Sequence, residues 1–323
     1  MNRRKIIMVS MTIGLIILIL ASIGIYTKQE QKAAAVQTEQ SEAEDNNVVT
    51  YNGKKYKYNT DIKALLFLGI DRSEKVEVNS QPGEGGQADT ILLLVLDRSE
   101  KTLKVIEVSR DTMIDISVYD ASGSFLAKSK AQIALQYAYG NSTRKSSQLM
   151  KNTVSDLFYG IPVNGVITLD IEGLSKIVDA VGGVRIVVPD DYSVIDPAFT
   201  TGTEVVMDGS QAEKYIRYRD TAVTGSNDDR MRRQNQFLMA LIQQLKGMDG
   251  STLYDVVMRG AGEYIYTDVK AEELKCLSNY GYEEEMNTIP GKMQAGPDHD
   301  EFYPDESKLY EIVLKLFYKP IDK

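Results

Sequence analysis

The longest uninterrupted apolar stretch lies near the amino terminus. Ile6–Tyr26 is a run of 21 residues without a charged side chain, and Arg3, Arg4 and Lys5 come directly before it. A helix of that length spans about 31 Å, which matches the hydrocarbon core of a bilayer. Because basic residues favour the cytoplasmic side, the pattern predicts a membrane anchor with its amino terminus inside. A cleaved signal peptide is the alternative, although its apolar region is shorter, roughly 7–15 residues.

The character of the chain changes after the apolar run. Residues 29–47 are rich in Gln, Ala, Glu and Asn and have no apolar periodicity, which is typical of a flexible tether. Apolar patterning resumes near residue 48. We therefore predict four parts: a short cytoplasmic segment 1–5, a transmembrane signal-anchor helix 6–26, a flexible acidic linker 27–47 and an extracytoplasmic domain 48–323.

Strand signals open the predicted domain. Val48–Tyr51 and Lys55–Tyr58 flank Asn52-Gly53, the strongest short signal for a β-hairpin. Three apolar strand candidates follow: Ala64–Ile70, Thr90–Asp97 and Leu103–Val108. The second contains Ile91–Leu96, in which every residue is apolar. That run predicts a central strand covered on both faces.

Helical periodicity then alternates with strand patterns. Helices are predicted at Gln132–Tyr139, Ser146–Phe158, Ile171–Val181, Asp208–Tyr215, Arg230–Leu245, Thr252–Met258 and Ser307–Phe317. Val166–Leu169 and Val184–Val188 have the pattern of strands, and Gly182-Gly183 ends the helix between them. This alternation predicts an α/β fold, a single three-layer α/β/α domain with a mixed sheet.

Composition narrows the possible chemistry. The 323 residues carry a net charge of −9, which excludes a broad basic surface for nucleic acid. Residues 1–28 carry four positive charges and no acid, so the remainder of the chain carries −13. The chain has one cysteine, Cys276, and one histidine, His299, which excludes an intramolecular disulfide and a Cys/His zinc site. A bound metal must therefore be held mainly by oxygen, which indicates magnesium, manganese or calcium.

Aspartates lie beside the predicted strand ends. Asp71 directly follows the first apolar strand, Asp89 stands just before the second, and Arg110-Asp111 follows the third. Ligand crevices of open α/β sheets form outside strand ends, where neighbouring carboxylates can share a divalent cation. Aspartate is also frequent after strands because it makes turns, so position alone leaves both interpretations open.

Five arginines lie between positions 217 and 233 of an otherwise acidic domain. On a helix Arg217 and Arg219 would lie about 200° apart, so they share a face only if the chain is extended there. Arg230, Arg233 and Gln234 have the spacing of one helix face. Guanidinium groups bind phosphate through two parallel hydrogen bonds, so the cluster indicates a phosphate-bearing ligand. A solvated basic helix face paired with neighbouring acids is the alternative.

Together these segments resemble the signature of the LytR-CpsA-Psr family. Seven blocks occur in the order typical of that family, over roughly residues 60–245. They are Leu66-Phe67-Leu68-Gly69-Ile70-Asp71, Ala88-Asp89-Thr90-Ile91-Leu92, Val108-Ser109-Arg110-Asp111-Thr112, Ala180-Val181-Gly182-Gly183-Val184, Asp208-Gly209-Ser210-Gln211-Ala212, Tyr215-Ile216-Arg217-Tyr218-Arg219 and Arg230-Met231-Arg232-Arg233-Gln234.

The resemblance implies a phosphotransferase of the Gram-positive cell membrane, with one membrane pass and its large domain outside. Such an enzyme moves a glycopolymer, such as teichoic acid or capsule, from a polyprenyl-pyrophosphate carrier to peptidoglycan or another envelope acceptor. By the same resemblance, Asp71 and Asp89 would hold magnesium, with manganese as a substitute. Arg110 and Asp111 would be catalytic, with Asp111 orienting Arg110 or its neighbours. The pyrophosphate would be bound by Arg110, Arg217, Arg219, Arg230, Arg233 and Gln234.

Two positions depart from the pattern of the family. Gln132 stands where the family often has a lysine, and Asn227 where it usually has an aspartate. Two consequences are open for either change: weaker phosphate binding, or only a shift of the loop. The alternative function is a non-catalytic protein that binds polyprenyl phosphates and regulates or scaffolds wall assembly. The presence of both aspartates and of the arginine cluster favours the enzyme.

Overall fold

The structure is a computed structural model of the chain. It describes residues 47–71, 81–218, 232–233, 236–237, 240–241, 244, 250–276, 280–282, 287–296 and 299–321. The predicted membrane span and all but the last residue of the predicted linker lie outside these ranges. Within the described ranges, none of the helices has both the length and the apolar character needed to cross a bilayer.

Strands and helices alternate along the described chain. The strands are β1 (Val48–Tyr51), β2 (Lys54–Tyr58), β3 (Ile62–Ile70), β4 (Ala88–Asp97), β5 (Thr102–Glu107), β6 (Met113–Tyr119), β7 (Phe125–Gln132), β8 (Gly165–Asp170), β9 (Val184–Val187), β10 (Glu204–Met207), β11 (Ile265–Thr267), β12 (Gly281–Tyr282), β13 (Asn287–Thr288), β14 (Gly291–Ala295), β15 (Asp300–Pro304) and β16 (Tyr318–Pro320). The α-helices are α1 (Thr143–Leu157), α2 (Ile171–Ala180), α3 (Gly209–Arg217), α4 (Gly250–Ala261), α5 (Ala271–Cys276) and α6 (Glu306–Phe317). Short 3-10 helices cover Ile133–Tyr139 and Gly262–Tyr264, and the described residues between 232 and 244 are helical.

A mixed sheet forms the centre of the domain. Its strand order is β11-β8-β3-β4-β5-β12, and β13 also pairs with β5. β3 runs parallel to β8 and antiparallel to β4, whereas β4 runs antiparallel to β5. The prediction of an α/β domain with a mixed sheet is confirmed. β1 and β2 also form the predicted hairpin, in which Asn52 and Gly53 both have positive φ angles, as the tight turn requires.

Strand β4 is buried on both faces, as its unbroken apolar run predicts. Ile91 and Leu93 pack in a core that includes residues of α1 and α6. Leu92 and Leu94 pack on the opposite face, in a second core to which α5 contributes Leu274. Burial of one such side chain stabilises the fold by about 1.5–3 kcal/mol, so the two cores hold this strand firmly in the sheet. A third core joins α2, α3 and α4 to β9 and β10.

Several elements differ from the sequence-based expectation. The hairpin of β6 and β7 was not predicted, because Phe125–Lys130 is exposed throughout and has no apolar alternation. Its turn is closed by Asp120, whose carboxylate accepts hydrogen bonds from the backbone N–H groups of Ser122 and Ser124. The predicted helix at Gln132–Tyr139 is a 3-10 helix. The short strands between residues 265 and 304 also carry too little periodicity to be predicted.

Glu107 places a carboxyl group on the face of the second core. It pairs across the ladder with Leu92, so the two side chains share one face of the sheet. Burial raises the pKa of this carboxyl from 4.5 to about 8. The folded state therefore holds the proton more tightly than the unfolded chain does. The contribution of Glu107 to stability is fully present below pH 4.5 and is lost as the pH rises towards 8.

We expect Glu107→Gln to raise the free energy of unfolding by on the order of 2 kcal/mol at pH 8, and to have little effect at pH 4. The neutral amide has nearly the shape of the protonated acid and does not titrate. Urea unfolding between pH 4 and pH 8 measures the difference. The matched control is Glu100→Gln, at an exposed position. A variant that keeps the wild-type slope of stability against pH would contradict the burial of this carboxyl.

Candidate active site

Polar residues of three neighbouring strands meet at one edge of the sheet. β3 and β5 both run antiparallel to β4, so the carboxyl ends of β3 and β5 lie beside the amino end of β4. Asp71 directly follows β3, Asp89 is the second residue of β4, and Arg110 and Asp111 lie just beyond β5. The fold therefore brings these four residues to one edge.

A bulge in the β3–β4 ladder sets the position of Asp89. Gly69 pairs with Thr90 and Ile70 pairs with Ala88, so Asp89 is the extra residue of the bulge. The backbone N–H of Asp71 donates to the carbonyl oxygen of Gln87 at 3.3 Å and joins the two segments that carry the aspartates. The side chains of Asp71 and Asp89 are 50% and 38% exposed, so both carboxylates are accessible to a ligand.

Arg110 connects the end of β5 to the start of β4. Its Nη1 donates to Asp89 Oδ1 at 2.5 Å, and its Nη2 donates to Gln87 Oε1 at 2.5 Å. Its Nε lies 3.9 Å from Asp111 Oδ1, beyond hydrogen-bond distance, so the role of Asp111 in orienting this arginine stays a prediction. Sequence reasoning missed Gln87, because a glutamine after a glycine-rich loop carries no distinctive signal.

Asp111 lies in a more enclosed environment than the other two aspartates. Gln132, from the end of β7, donates from Nε2 to Asp111 Oδ1 at 2.7 Å and to the carbonyl oxygen of Asp300 at 3.0 Å. Burial raises the pKa of the Asp111 carboxyl; the positive charges of Arg110 and His299 oppose the rise, and the Asp300 carboxylate adds to it. Gln132, which stands where the family often has a lysine, therefore contacts the predicted catalytic residue Asp111 directly.

Arg217 reaches the same edge from helix α3. A capping box of Asp208 and Gln211 begins this helix, and Arg217 is its last residue. The guanidinium group donates from Nη1 to Glu213 Oε1 at 2.8 Å and lies 3.5 Å from Asp71 Oδ1 through Nη2. The helix ends at Arg217, and Tyr218 has non-helical backbone angles, φ −54° and ψ 131°. An end at this position is what the spacing of Arg217 and Arg219 requires if both arginines bind one ligand.

Arg233 is enclosed by backbone and aromatic groups. Its side chain is 2% exposed, its Nε donates to the carbonyl oxygen of Tyr215 at 2.8 Å, and its Nη2 donates to that of Tyr218. The guanidinium carbon lies 4.9, 5.9 and 5.7 Å from the ring centres of Tyr192, Tyr215 and Tyr218. Arg233 thus ties its helix to the end of α3, whereas its neighbour Arg232 is exposed. A role of Arg233 in binding phosphate stays a prediction.

The remaining predicted residues have no described position. Arg219, Arg230 and Gln234, and the departing residue Asn227, lie outside the described residues. Their roles stay predictions. Among the described residues, the two pairs Asp71–Arg217 and Asp89–Arg110 form the centre of the candidate site.

The donor set suits a hard divalent cation shared with a ligand. Asp71 and Asp89 present exposed oxygens at adjoining backbone segments, and magnesium commonly binds one or two carboxylates together with phosphate oxygens. Across the part of the chain that the structure describes, no group of three or more His, Cys, Asp and Glu residues is arranged to hold a metal. The two aspartates fit magnesium if a ligand supplies further oxygens.

The model of the LytR_cpsA_psr family matches residues 23–312. The chain belongs to this family. It is 25% identical to the polyisoprenyl-teichoic acid–peptidoglycan teichoic acid transferase TagV of Bacillus subtilis, over 80% of this chain and 64% of that protein. It is also 25% identical to the corresponding transferase TagU of Bacillus mycoides, over 81% of this chain and 84% of that protein. In TagV and in two further TagU relatives, from Enterococcus faecalis and Halalkalibacterium halodurans, the match spans 64% of the relative's length, slightly less than two thirds.

The crystal structure of Bacillus subtilis TagV has a similar fold. The TM-score is 0.51 with 25% identity, and the match covers 80% of this chain and 96% of that chain. Four of the seven sequence blocks contribute a residue to this edge, namely Asp71, Asp89, Arg110 and Arg217.

We expect Arg233→Ala to lower the free energy of unfolding by about 2–4 kcal/mol, because it removes charge-assisted hydrogen bonds to two carbonyls and leaves a cavity. The matched control is Arg232→Ala, at the neighbouring exposed position, where a change within about 0.5 kcal/mol is expected. Chemical unfolding of the two variants in parallel measures the difference. Equal and small losses would mean that the contacts of Arg233 contribute little to the fold.

Proposed function

We propose that this protein is a membrane-anchored phosphotransferase that moves a glycopolymer from a polyprenyl-pyrophosphate carrier to peptidoglycan or another envelope acceptor. The observation that carries the proposal is the pairing of Asp71 with Arg217 and of Asp89 with Arg110 at one sheet edge. The names of the TagV and TagU relatives, which are teichoic acid transferases, support the same reaction class.

The two ion pairs account for how the site accepts a pyrophosphate. Each arginine lies against one aspartate, so the four charges of the two pairs cancel. Asp71 and Asp89 would hold magnesium, or manganese in its place, and Arg110 and Arg217 would bind phosphate oxygens. The bound ion would neutralise negative charge on the pyrophosphate, which is its usual contribution to phosphoryl transfer.

The reaction we propose exchanges one bond at phosphorus. The acceptor hydroxyl loses its proton to solvent water, and its oxygen forms a bond to the phosphorus that bears the polymer. The bond from that phosphorus to the bridging oxygen breaks, and polyprenyl phosphate leaves. Arg110 and Arg217 bind phosphate oxygens that gain negative charge, and Arg219, Arg230 and Gln234 are proposed to assist them. Asp89 and Gln87 hold the guanidinium group of Arg110 through hydrogen bonds, and Asp111, 3.9 Å from its Nε, is proposed to orient it by charge.

We further propose that Ile6–Tyr26 anchors the protein in the cell membrane with the large domain outside. The support is the uncharged run of 21 residues after a basic cluster. An anchor beside a lipid-borne donor raises the effective concentration of that donor at the site. By the same family resemblance, we propose the envelope of a Gram-positive-type bacterium as its setting.

Binding without transfer is the second candidate function. Gln132, a neutral residue where the family often has a lysine, contacts Asp111 directly and favours this candidate. The decisive experiment incubates the full chain with a labelled lipid-linked oligosaccharide and peptidoglycan, with and without magnesium. Ion-dependent transfer of label supports the transferase, whereas tight binding of the donor without transfer supports the second candidate.

We expect Asp71→Asn and Asp89→Asn each to lower the transfer rate by roughly 100- to 1000-fold, because loss of one carboxylate weakens the hold on the ion and on the phosphates. Magnesium-dependent binding of inorganic pyrophosphate to the same variants provides a readout besides activity. Asp115→Asn, at an exposed position of β6, is the matched control and should behave as wild type. Full activity of both site variants in excess chelator would exclude the metal assignment.

Protease accessibility should show the orientation of the chain. We expect protease added to intact, wall-free cells to digest the large domain, because the basic residues before the apolar run keep only the amino terminus inside. Digestion after lysis is the control for protease activity. Protection of the domain until lysis would overturn the proposed topology without bearing on the chemistry of the site.

A further inference from the structure

The hairpin of β14 and β15 lies beside the candidate active site. Gly291–Ala295 pairs with Asp300–Pro304 in antiparallel register. None of the family blocks identified in the sequence falls in this hairpin, and the proposed reaction gives it no role so far. We refer to it as the C-terminal hairpin.

Several contacts fix the C-terminal hairpin to the segment that carries Arg110. The backbone N–H of Phe302 donates to the carbonyl oxygen of Asp111 at 2.8 Å, and Phe302 also forms a parallel bridge with Thr112. Gln132 donates to the carbonyl oxygen of Asp300 at 3.0 Å. Just before the hairpin, β13 pairs with β5. The hairpin therefore has a defined position relative to the site.

The two faces of the hairpin differ in chemistry. Phe302 is 9% exposed and packs in the core with α1 and α6. Its neighbour Tyr303 must face the other way, where it shares a face with its cross-strand partner Lys292. The next pair on that face is Gln294 with Glu301. The outer face thus consists of one tyrosine ring, an amide, a carboxylate and an ammonium group.

The hairpin borders the candidate active site. Gln132 joins the two, because its Nε2 donates both to Asp111 Oδ1 at 2.7 Å and to the carbonyl oxygen of Asp300, the residue directly before Glu301. A ligand bound along the hairpin would therefore lie close to Asp111 and Arg110.

We propose that this outer face of Lys292, Gln294, Glu301 and Tyr303 binds the sugar chain of the acceptor. The inference rests on the proposed transferase function, for which it names the acceptor subsite. Its ligand is a glycan chain such as that of peptidoglycan.

The chemistry of the face suits a polysaccharide. A pyranose ring presents C–H groups on its face and hydroxyl groups at its rim. The ring of Tyr303, which is 38% exposed, can pack against the C–H groups on the face of the sugar. Glu301 can accept hydrogen bonds from the hydroxyl groups, and Gln294 can both accept and donate them. Lys292 can pair with carboxylates of the acceptor. The Tyr303 hydroxyl donates to Glu301 Oε2 at 2.7 Å, which holds the ring in place before a ligand binds.

The position of the subsite agrees with the geometry of transfer. Arg217 and Asp71 lie on the side of β3, whereas Asp111 and the hairpin lie on the side of β5. An acceptor that follows the hairpin therefore approaches the pyrophosphate from the side of Asp111, away from α3. The donor and acceptor would then reach the reacting phosphorus from different directions, as an in-line displacement requires.

The absence of tryptophan from the chain permits a direct binding test. Tyr303→Trp and Met293→Trp each introduce a single reporter into the full chain. Met293 is 48% exposed and lies on the opposite face of the same hairpin, so it is the matched control. Soluble peptidoglycan glycan strands are the probe. We expect saturable changes of emission at position 303 and none at position 293. Equal changes at both positions, or none at either, would overturn the subsite.

Kinetics separate failure of the subsite from failure of the proposed function. We expect Tyr303→Ala to raise the KM for the acceptor severalfold while the KM for the donor and kcat stay near wild type, and Tyr303→Phe, which keeps the ring, to restore most of the loss. Transfer with an unchanged acceptor KM in Tyr303→Ala would remove the subsite and leave the transferase. Saturable glycan binding at position 303 in a chain that transfers nothing would support the subsite and remove the transferase.

Discussion

The antiparallel pairing of β3 with β4 is the interaction on which the candidate site depends. Nine residues of β3 are paired with β4, and apolar cores cover both strands on each face. That burial fixes the register, because a shift by one residue would turn every buried side chain of the strand to the other face. The bulge at Asp89 interrupts this register at one position, and the rest of the ladder remains paired. It lies where the backbone of Asp71 is hydrogen-bonded to that of Gln87, so the segments that carry the two aspartates adjoin.

Arginines and aspartates compensate each other's charge at this edge. An arginine cluster within an acidic domain would repel itself if it stood alone. Arg110 and Arg217 instead lie against Asp89 and Asp71, at exposures where an ion pair contributes little net energy. Weak pairing is useful here, because a ligand that brings its own charges can exchange partners with both arginines at small cost. The buried contacts of Arg233 serve a different purpose, since they hold the end of α3 in the conformation that presents Arg217.

The sequence predicted the parts of the fold that have strong patterns. The unbroken apolar run of β4, the Asn52-Gly53 turn and the alternation of strands with helices all correspond to observed elements. The edge strand β7 and the C-terminal hairpin were missed, because exposed or half-exposed strands show no alternation of apolar and polar positions. At the site, strand-end positions predicted which residues would meet, but not with which partners. The burial of Arg233 depends on three tyrosines from distant segments, and no local spacing encodes such an environment.

The glutamine at position 132 changes the balance of charge around Asp111 in a way that bears on phosphate binding. A lysine there would place a positive charge within hydrogen-bonding distance of the Asp111 carboxylate and favour its ionised form. Gln132 supplies a hydrogen bond without a charge, so burial of Asp111 raises its pKa with less opposition. The exchange of lysine for glutamine therefore removes one positive charge from the surroundings of Asp111. Arg110, with its Nε 3.9 Å from Asp111 Oδ1, remains as a cation that compensates the charge of this carboxylate.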